Sequence, residues 1–192
     1  GLRVAVDELD TAAAGLEPSV RAGLETAIAN VGAVARAQLR DDVEVELGEG
    51  QEIRIVERPV RAAGLYVPAG RAAYPSTLVM TAATARAAGV ERVCVCAAPG
   101  PDGDVHPAIL GASALCGVDE VYRVGGAQAV AALAYGTETI APVDVVAGPG
   151  SPWVQEAKRQ VVGVVGIDGI AGPSELVVVA DGGDVAEQLA LD

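Results

Sequence analysis

The stretch Glu120-Val-Tyr-Arg-Val-Gly-Gly-Ala-Gln-Ala-Val-Ala-Ala-Leu-Ala-Tyr135 runs from a strand through a glycine turn into a helix without a break. Glu120 to Val124 has strand length and β-branched content, Gly125-Gly126 interrupts it, and Ala127 to Tyr135 consists of good helix formers. The same unit recurs on both sides. Upstream lie a short apolar strand (Gly64–Val67), a helix from a Ser76 cap to Ala88 closed by Gly89, a strand (Val93–Ala98) and a helix (Val105–Leu115) with Gly117 beyond. Downstream come a strand (Val143–Ala147), the turn Gly148-Pro149-Gly150, a helix (Pro152–Val162) and a last strand (Leu176–Ala180). Short apolar strands alternating with helices of this length require a mostly parallel sheet covered on both faces. The fold class is α/β, doubly wound and Rossmann-like.

Residues 1–63 read differently. Val20, Leu24, Ala27, Ile28, Val31, Val34, Ala35 and Leu39 recur at helical spacing after Pro18 and a Ser19 cap, an acidic stretch follows, and Gln51 to Val60 suits a strand. This segment reads as a helix and a strand flanking something larger. Both ends read as interrupted: the chain opens on Gly1, and it closes at Asp192 two turns into a helix capped by Asp184.

A formal charge of −13, with 13 basic against 26 acidic residues, opposes binding to nucleic acid or to an anionic membrane. No apolar run reaches membrane-spanning length. Positive charge comes from arginine except at Lys158, the single lysine, which reads as coding bias. The three cysteines form no pairing framework, and Cys94 and Cys96 share one face of a strand; buried small hydrophobes in a cytoplasmic protein is the expected reading.

Glycine turns that follow strands directly, at Gly125-Gly126 and Gly148-Pro149-Gly150, would lie at the carboxyl ends of the sheet, where this fold class binds ligands. Helix N-termini behind them favour negative charge. Neither turn matches G-x-G-x-x-G, and each also serves simply to close a loop. Gln128, in the first helical turn, either hydrogen-bonds a ribose or carboxamide or merely faces solvent. Tyr66, ending a strand, either lays a ring against a cofactor or packs as an ordinary aromatic. His106 is the only histidine, so these residues alone build no first-row metal site, and its loop setting reads as solvent-facing.

Ile167-Asp-Gly-Ile-Ala-Gly-Pro-Ser-Glu175 resembles the histidinol dehydrogenase signature I-D-x-x-A-G-P-S/T-E at every fixed position. Gly64-Leu-Tyr-Val-Pro-Ala-Gly70, Arg123-Val-Gly-Gly-Ala-Gln-Ala129, Ala134-Tyr-Gly-Thr-Glu138 and Gly148-Pro-Gly150 look like that family's other motifs, in order. The resemblance implies NAD-dependent oxidation of L-histidinol, through the aldehyde, to L-histidine, by a homodimer carrying zinc. It implies cofactor contacts from Tyr66, Gln128 and Ser151, and substrate contact from Ser174. Ser151 departs from the family's usual asparagine, and Ala69 from its usual glycine.

It also implies one Rossmann-like domain inserted in another, with 64–173 as the inserted unit and 1–63 and 174–192 as host segments, the partial flanking segments of a second α/β domain. The zinc ligands and the Glu–His acid–base pair would follow beyond Asp192, so this chain alone is expected to be inactive. The alternatives are a non-catalytic dinucleotide-binding or assembly module of the same fold and, behind it, a protein–protein scaffold.

Overall fold

Every residue of β3 (Ala62–Val67) is buried, so both faces of that strand are covered and it must lie at the centre of the molecule. A computed structural model describes residues 1–68, 73–171, 175 and 177 and places β3 between β4 (Arg92–Ala97) and β6 (Val145–Ala147). With β5 (Glu120–Arg123) and β7 (Gly166–Ile167) they form a five-stranded sheet, ordered β5-β4-β3-β6-β7, in which all neighbours run parallel. The chain winds outward from β3 to β5, then returns to β6 on the other side of β3. The winding therefore reverses between β3 and β6, and a doubly wound sheet opens its ligand crevice at the carboxyl ends of such a pair.

Alternation along the strands sorts the core into two layers. Ala63, Leu65, Val67, Val95 and Ala97 face α3 (Pro75–Ala87) and α4 (Pro107–Leu115), where Leu78, Val79 and Ile109 meet them. Cys94, Cys96, Tyr122 and Val146 face α5 (Gly126–Tyr135) and α6 (Pro152–Val161). Cys94 and Cys96 thus share a face as their spacing requires. Helix α5 lies so close on β3 that a Cβ at Gly64 would stand 2.7 Å from Leu133 Cδ2 and 3.1 Å from Val143 Cγ2.

The N-terminal segment holds more structure than its sequence reading. Helix α1 (Val6–Ala14) was not expected; it packs on α4 and buries Leu9. Ahead of it the chain adds a short antiparallel rung to β5, with the Val4 N–H donating to Val121 O (2.9 Å) and the Arg123 N–H to Leu2 O (2.8 Å). Helix α2 (Pro18–Gln38) packs on α3, and Val4, Leu9 and Leu24 join the same core layer as α3 and α4.

The strand placed at 51–60 is shorter, β2 (Glu52–Ile55), and pairs antiparallel with β1 (Val43–Glu46), which the acidic content of that stretch concealed. Both strands are exposed throughout. Strand β7 was also missed, because two residues carry no periodicity.

Two caps differ from expectation. Glu17, not Ser19, caps α2: its carboxylate accepts the Val20 N–H (3.2 Å) and the Ser19 hydroxyl. Pro75, not Ser76, starts α3, since its fixed φ suits the first helical position. The strand read at Leu176–Ala180 and the Asp184 cap lie outside the described residues, as does Ala69.

The amino ends of the strands are braced by side chains. The Arg92 guanidinium donates to both Glu120 oxygens (2.9 and 2.5 Å) and to the carbonyls of Ala141 and Pro142 (3.1 and 3.0 Å), while the Tyr122 hydroxyl donates to Glu120 (2.8 Å). No helix among the described residues is long and apolar enough to cross a membrane.

Candidate functional site

Tyr66 is the residue around which the carboxyl end of the sheet is organised. It lies at the end of β3, is 4% exposed, and its side chain belongs to the α5–α6 layer. Its hydroxyl accepts the N–H of Gly126 (3.0 Å), satisfying one of the free donors at the start of α5. A Cβ at Gly125 would lie 3.6 Å from that hydroxyl but only 2.4 Å from Ala98 Cβ. On the other flank, a Cβ at Gly148 would stand 2.1 Å from the Tyr66 carbonyl oxygen. Gly148 also holds φ +131°, so both close approach and backbone conformation demand glycine there.

The two glycine turns read from sequence therefore converge on Tyr66 across the point where the winding reverses. Each leads into a helix N-terminus, α5 after Gly125 and α6 after Ser151. Gln128 is exposed, and its side chain curls over the first turn of α5, with Oε1 2.7 Å from where a Gly126 Cβ would be. Ser151 occupies the cap position of α6; its carbonyl accepts from Val154 and Gln155 (2.9 and 3.0 Å), while its hydroxyl makes no capping bond among the described residues. Ser151 is exposed at the helix mouth. Ser174 lies outside the described residues.

On the α3 side of the same Gly148-Pro149 turn opens a cavity of about 450 Å³, walled by Thr77, Met80 and Thr81 of α3 and by Gln155, Lys158 and Ile170. Tyr66, Gln128 and Ser151 are not among its walls. The turn thus borders this cavity between α3 and α6 and packs against the main chain of Tyr66.

Two further residues at this turn escaped the sequence reading. Lys158 is 1% exposed, and its ammonium donates to Asp168 Oδ1 (2.6 Å) and to the carbonyl of Gly148 (2.5 Å). Asp168 Oδ2 accepts the Gly148 N–H (2.8 Å). The signal was available: Val154, Lys158 and Val161 fall at spacings of four and three, putting a lysine on the apolar stripe of α6.

Acid–base and metal chemistry are not assembled here. His106 caps α4, its Nδ1 accepting the Ala108 N–H (3.1 Å), and it is exposed at the surface. Among the described residues no group of three or more His, Cys, Asp and Glu stands ready to hold a metal ion. The three thiols are buried, and burial pushes Cys94 up to about 12 and Cys116 up to about 11, and raises Cys96 as well. Thiols so held are packing groups rather than nucleophiles.

What the fold defines is a doubly wound α/β protein whose two glycine turns meet at its topological switch point. The comparisons with known proteins narrow this. The family model for histidinol dehydrogenase matches residues 1–192, and the chain belongs to that family. It is 53% identical over 194 residues to histidinol dehydrogenase from Rhodospirillum rubrum, covering 100% of this chain and 44% of that protein. The enzyme from Methanothermobacter thermautotrophicus is 46% identical, with 99% and 45% covered. The crystal structure of histidinol dehydrogenase from Elizabethkingia anophelis superposes with a TM-score of 0.84 at 34% identity, over 91% of this chain and 40% of that one. The chain spans less than half the length of these relatives.

Proposed function

We propose that these residues form the cofactor-binding part of an NAD-dependent dehydrogenase that oxidises L-histidinol to L-histidine. The observation that carries this reading is the convergence of the Gly125-Gly126 and Gly148 turns on Tyr66 at the switch point. The glycines let both turns pack directly on Tyr66 and Ala98, which brings their backbone to the carboxyl end of the sheet, and the N-termini of α5 and α6 favour a ligand's negative charge. Tyr66 shapes the floor between the turns, and Gln128 and Ser151 offer an amide and a hydroxyl at the two helix mouths. Ser174 is the proposed substrate contact. NAD, when bound, would supply the hydride acceptor for two oxidations, of the alcohol to the aldehyde and of the aldehyde, hydrated by water, to the acid.

The residues described here do not fit zinc, so the ion and the acid–base pair are placed in other parts of the polypeptide, and no step is assigned to them. The domain arrangement proposed is an inserted unit, 64–173, within host segments 1–63 and 174–192. The exposed β1–β2 hairpin supports it, since a sheet uncovered on both faces needs a neighbour. Homodimerisation and a cytoplasmic setting accompany the proposal, and an acidic chain of charge −13 makes nucleic acid an improbable partner.

Calorimetric titration with NAD tests the reading directly, and binding without turnover is the expected result for residues 1–192 given histidinol, NAD and zinc. Turnover that survives repurification would overturn the placement of catalysis outside these residues. Ser151, in the position of the family's asparagine, favours a second reading, a binding module without chemistry. The full-length protein would then bind NAD and give no turnover with zinc present.

A further inference from the structure

We infer that the pair of buried Lys158 and exposed Asp168 is a positioning device for the cofactor turn, an inference that rests on the NAD-binding reading. Both polar groups of Gly148 are held by this one pair. Its N–H donates to Asp168 Oδ2 at 2.8 Å, and its carbonyl accepts from the Lys158 ammonium, which closes the ring by donating to Asp168 Oδ1 at 2.6 Å. Asp168 Oδ1 also accepts the N–H of Gly169 at 3.0 Å. From the opposite side, Gly148 lies against the main chain of Tyr66, where a Cβ would come within 2.1 Å of the carbonyl oxygen. The turn is therefore gripped on one side by a charge pair and on the other by β3.

A turn of two glycines and a proline, with Gly148 buried and Pro149 exposed, has few side-chain atoms of its own with which to fix its shape. Glycine also loses more conformational freedom on ordering than any other residue. A ligand that depends on this backbone would otherwise have to order it on binding, at a cost to affinity. Lys158 and Asp168 remove that cost in advance. They do so from two different elements, α6 and the segment after β7, so the same contact ties the cofactor turn to the start of the Ile167–Glu175 signature. Lys158 is 1% exposed and wholly engaged in this ring, which makes it a positioning residue and not a ligand group. Charge-assisted hydrogen bonds in a buried setting suit such a task, being short and directional.

Removing Asp168 strands the buried Lys158 ammonium and is strongly destabilising, so that single variant risks failing to fold. The informative variant is the double replacement Lys158→Met with Asp168→Asn, which keeps both volumes and leaves no orphan charge; Asp168→Asn alone accompanies it. The measurements are steady-state kinetics of the full-length protein, with NAD and histidinol varied in turn, and NAD titration by calorimetry.

A positioning role raises the KM and Kd for NAD by about tenfold in the double variant, with kcat and the KM for histidinol changed by less than about twofold. A KM for NAD equal to wild type overturns the inference, whether kcat falls with the folded fraction or stays constant. Loss of NAD binding in the wild type would be seen before any variant is made, and it would remove the cofactor reading together with this one. Unchanged affinity in the variants, with normal wild-type binding, removes this one alone.

Discussion

At position 151 a single side chain decides how α6 presents its N-terminus. Ser151 is exposed at the start of α6 and offers one hydroxyl, where an asparagine would offer an amide donor and acceptor. If Ser151 contacts NAD, Ser151→Asn tightens NAD binding by about threefold to tenfold, the value of one added hydrogen bond. Gln128→Ala should weaken NAD by a similar factor and leave the unfolding midpoint unmoved, because Gln128 is exposed and lies outside the core. Calorimetry with NAD checks both, and unchanged affinity in either variant strikes that residue from the site. Tyr66 and Gln128 were legible as candidate positions because strand ends and glycine turns are visible in sequence, whereas Ser151 came only from the family resemblance. The bond from Gly126 to the Tyr66 hydroxyl was not, since it joins residues sixty apart through folding. Lys158 was read as compositional bias because its partner, Asp168, is brought to it only by the crossover to β7.

The elements of the central sheet were read from their own chemistry: the unbroken apolar run at Val93–Ala97, and the β-branched stretch Glu120–Val124 with Gly125-Gly126 behind it, suit strands of a parallel sheet. The N-terminal elements were less legible. Strand β1 alternates valine with glutamate and is stabilised only by pairing with β2, and α1 is a short helix with one buried side chain, so tertiary contact rather than pattern defines both. Packing of α5 on β3 gives a sharp test at the level of the element. A methyl group at position 64 must displace Leu133 or Val143, so Gly64→Ala should destabilise by about 1–3 kcal/mol, the usual cost of overpacking. Denaturant unfolding followed by circular dichroism measures it, and a variant as stable as wild type would mean that α5 is free to shift. The other side of the same layer predicts chemical silence. Cys94 and Cys96 lie under α5 and α6 with their thiols raised by burial, and Cys116 closes α4 in the opposite layer. Iodoacetamide at pH 8 should leave all three unmodified in the native protein and alkylate three after denaturation, as counted by intact mass.

Across the whole molecule the two ends of the sheet are built for different purposes. The carboxyl ends carry glycine turns and free helix donors; the amino ends carry the Arg92–Glu120–Tyr122 brace, which ties β4 and β5 to the loop at Ala141-Pro142. Burial works against the charged form of Glu120, but hydrogen bonds from Arg92 and Tyr122 outweigh it and hold the carboxyl below its ordinary 4.5. Burial, with Glu120 alongside, pushes the Tyr122 hydroxyl up to about 12, so it remains a donor through the neutral range. A carboxyl lowered by folding contributes stability that is fully present above its unfolded value and is lost as pH falls through its folded value. The brace should therefore be at full strength above about pH 5.5 and weaken progressively below 4.5. Glu120→Gln removes the charge at every pH, which predicts a loss of about 1–3 kcal/mol at pH 7, the range for hydrogen bonds to a charged group. The gap between wild type and variant should then narrow on acidification, because only wild type has this charge left to lose. Urea unfolding at pH 7, 5, 4 and 3 measures the gap. A gap that stays constant down to pH 3 would mean that Glu120 does not titrate differently on folding, and that the brace holds by shape rather than by charge. The same series leaves NAD affinity at pH 7 unchanged if the two ends are independent, since the brace lies across the full length of the strands from Tyr66 and its glycine turns.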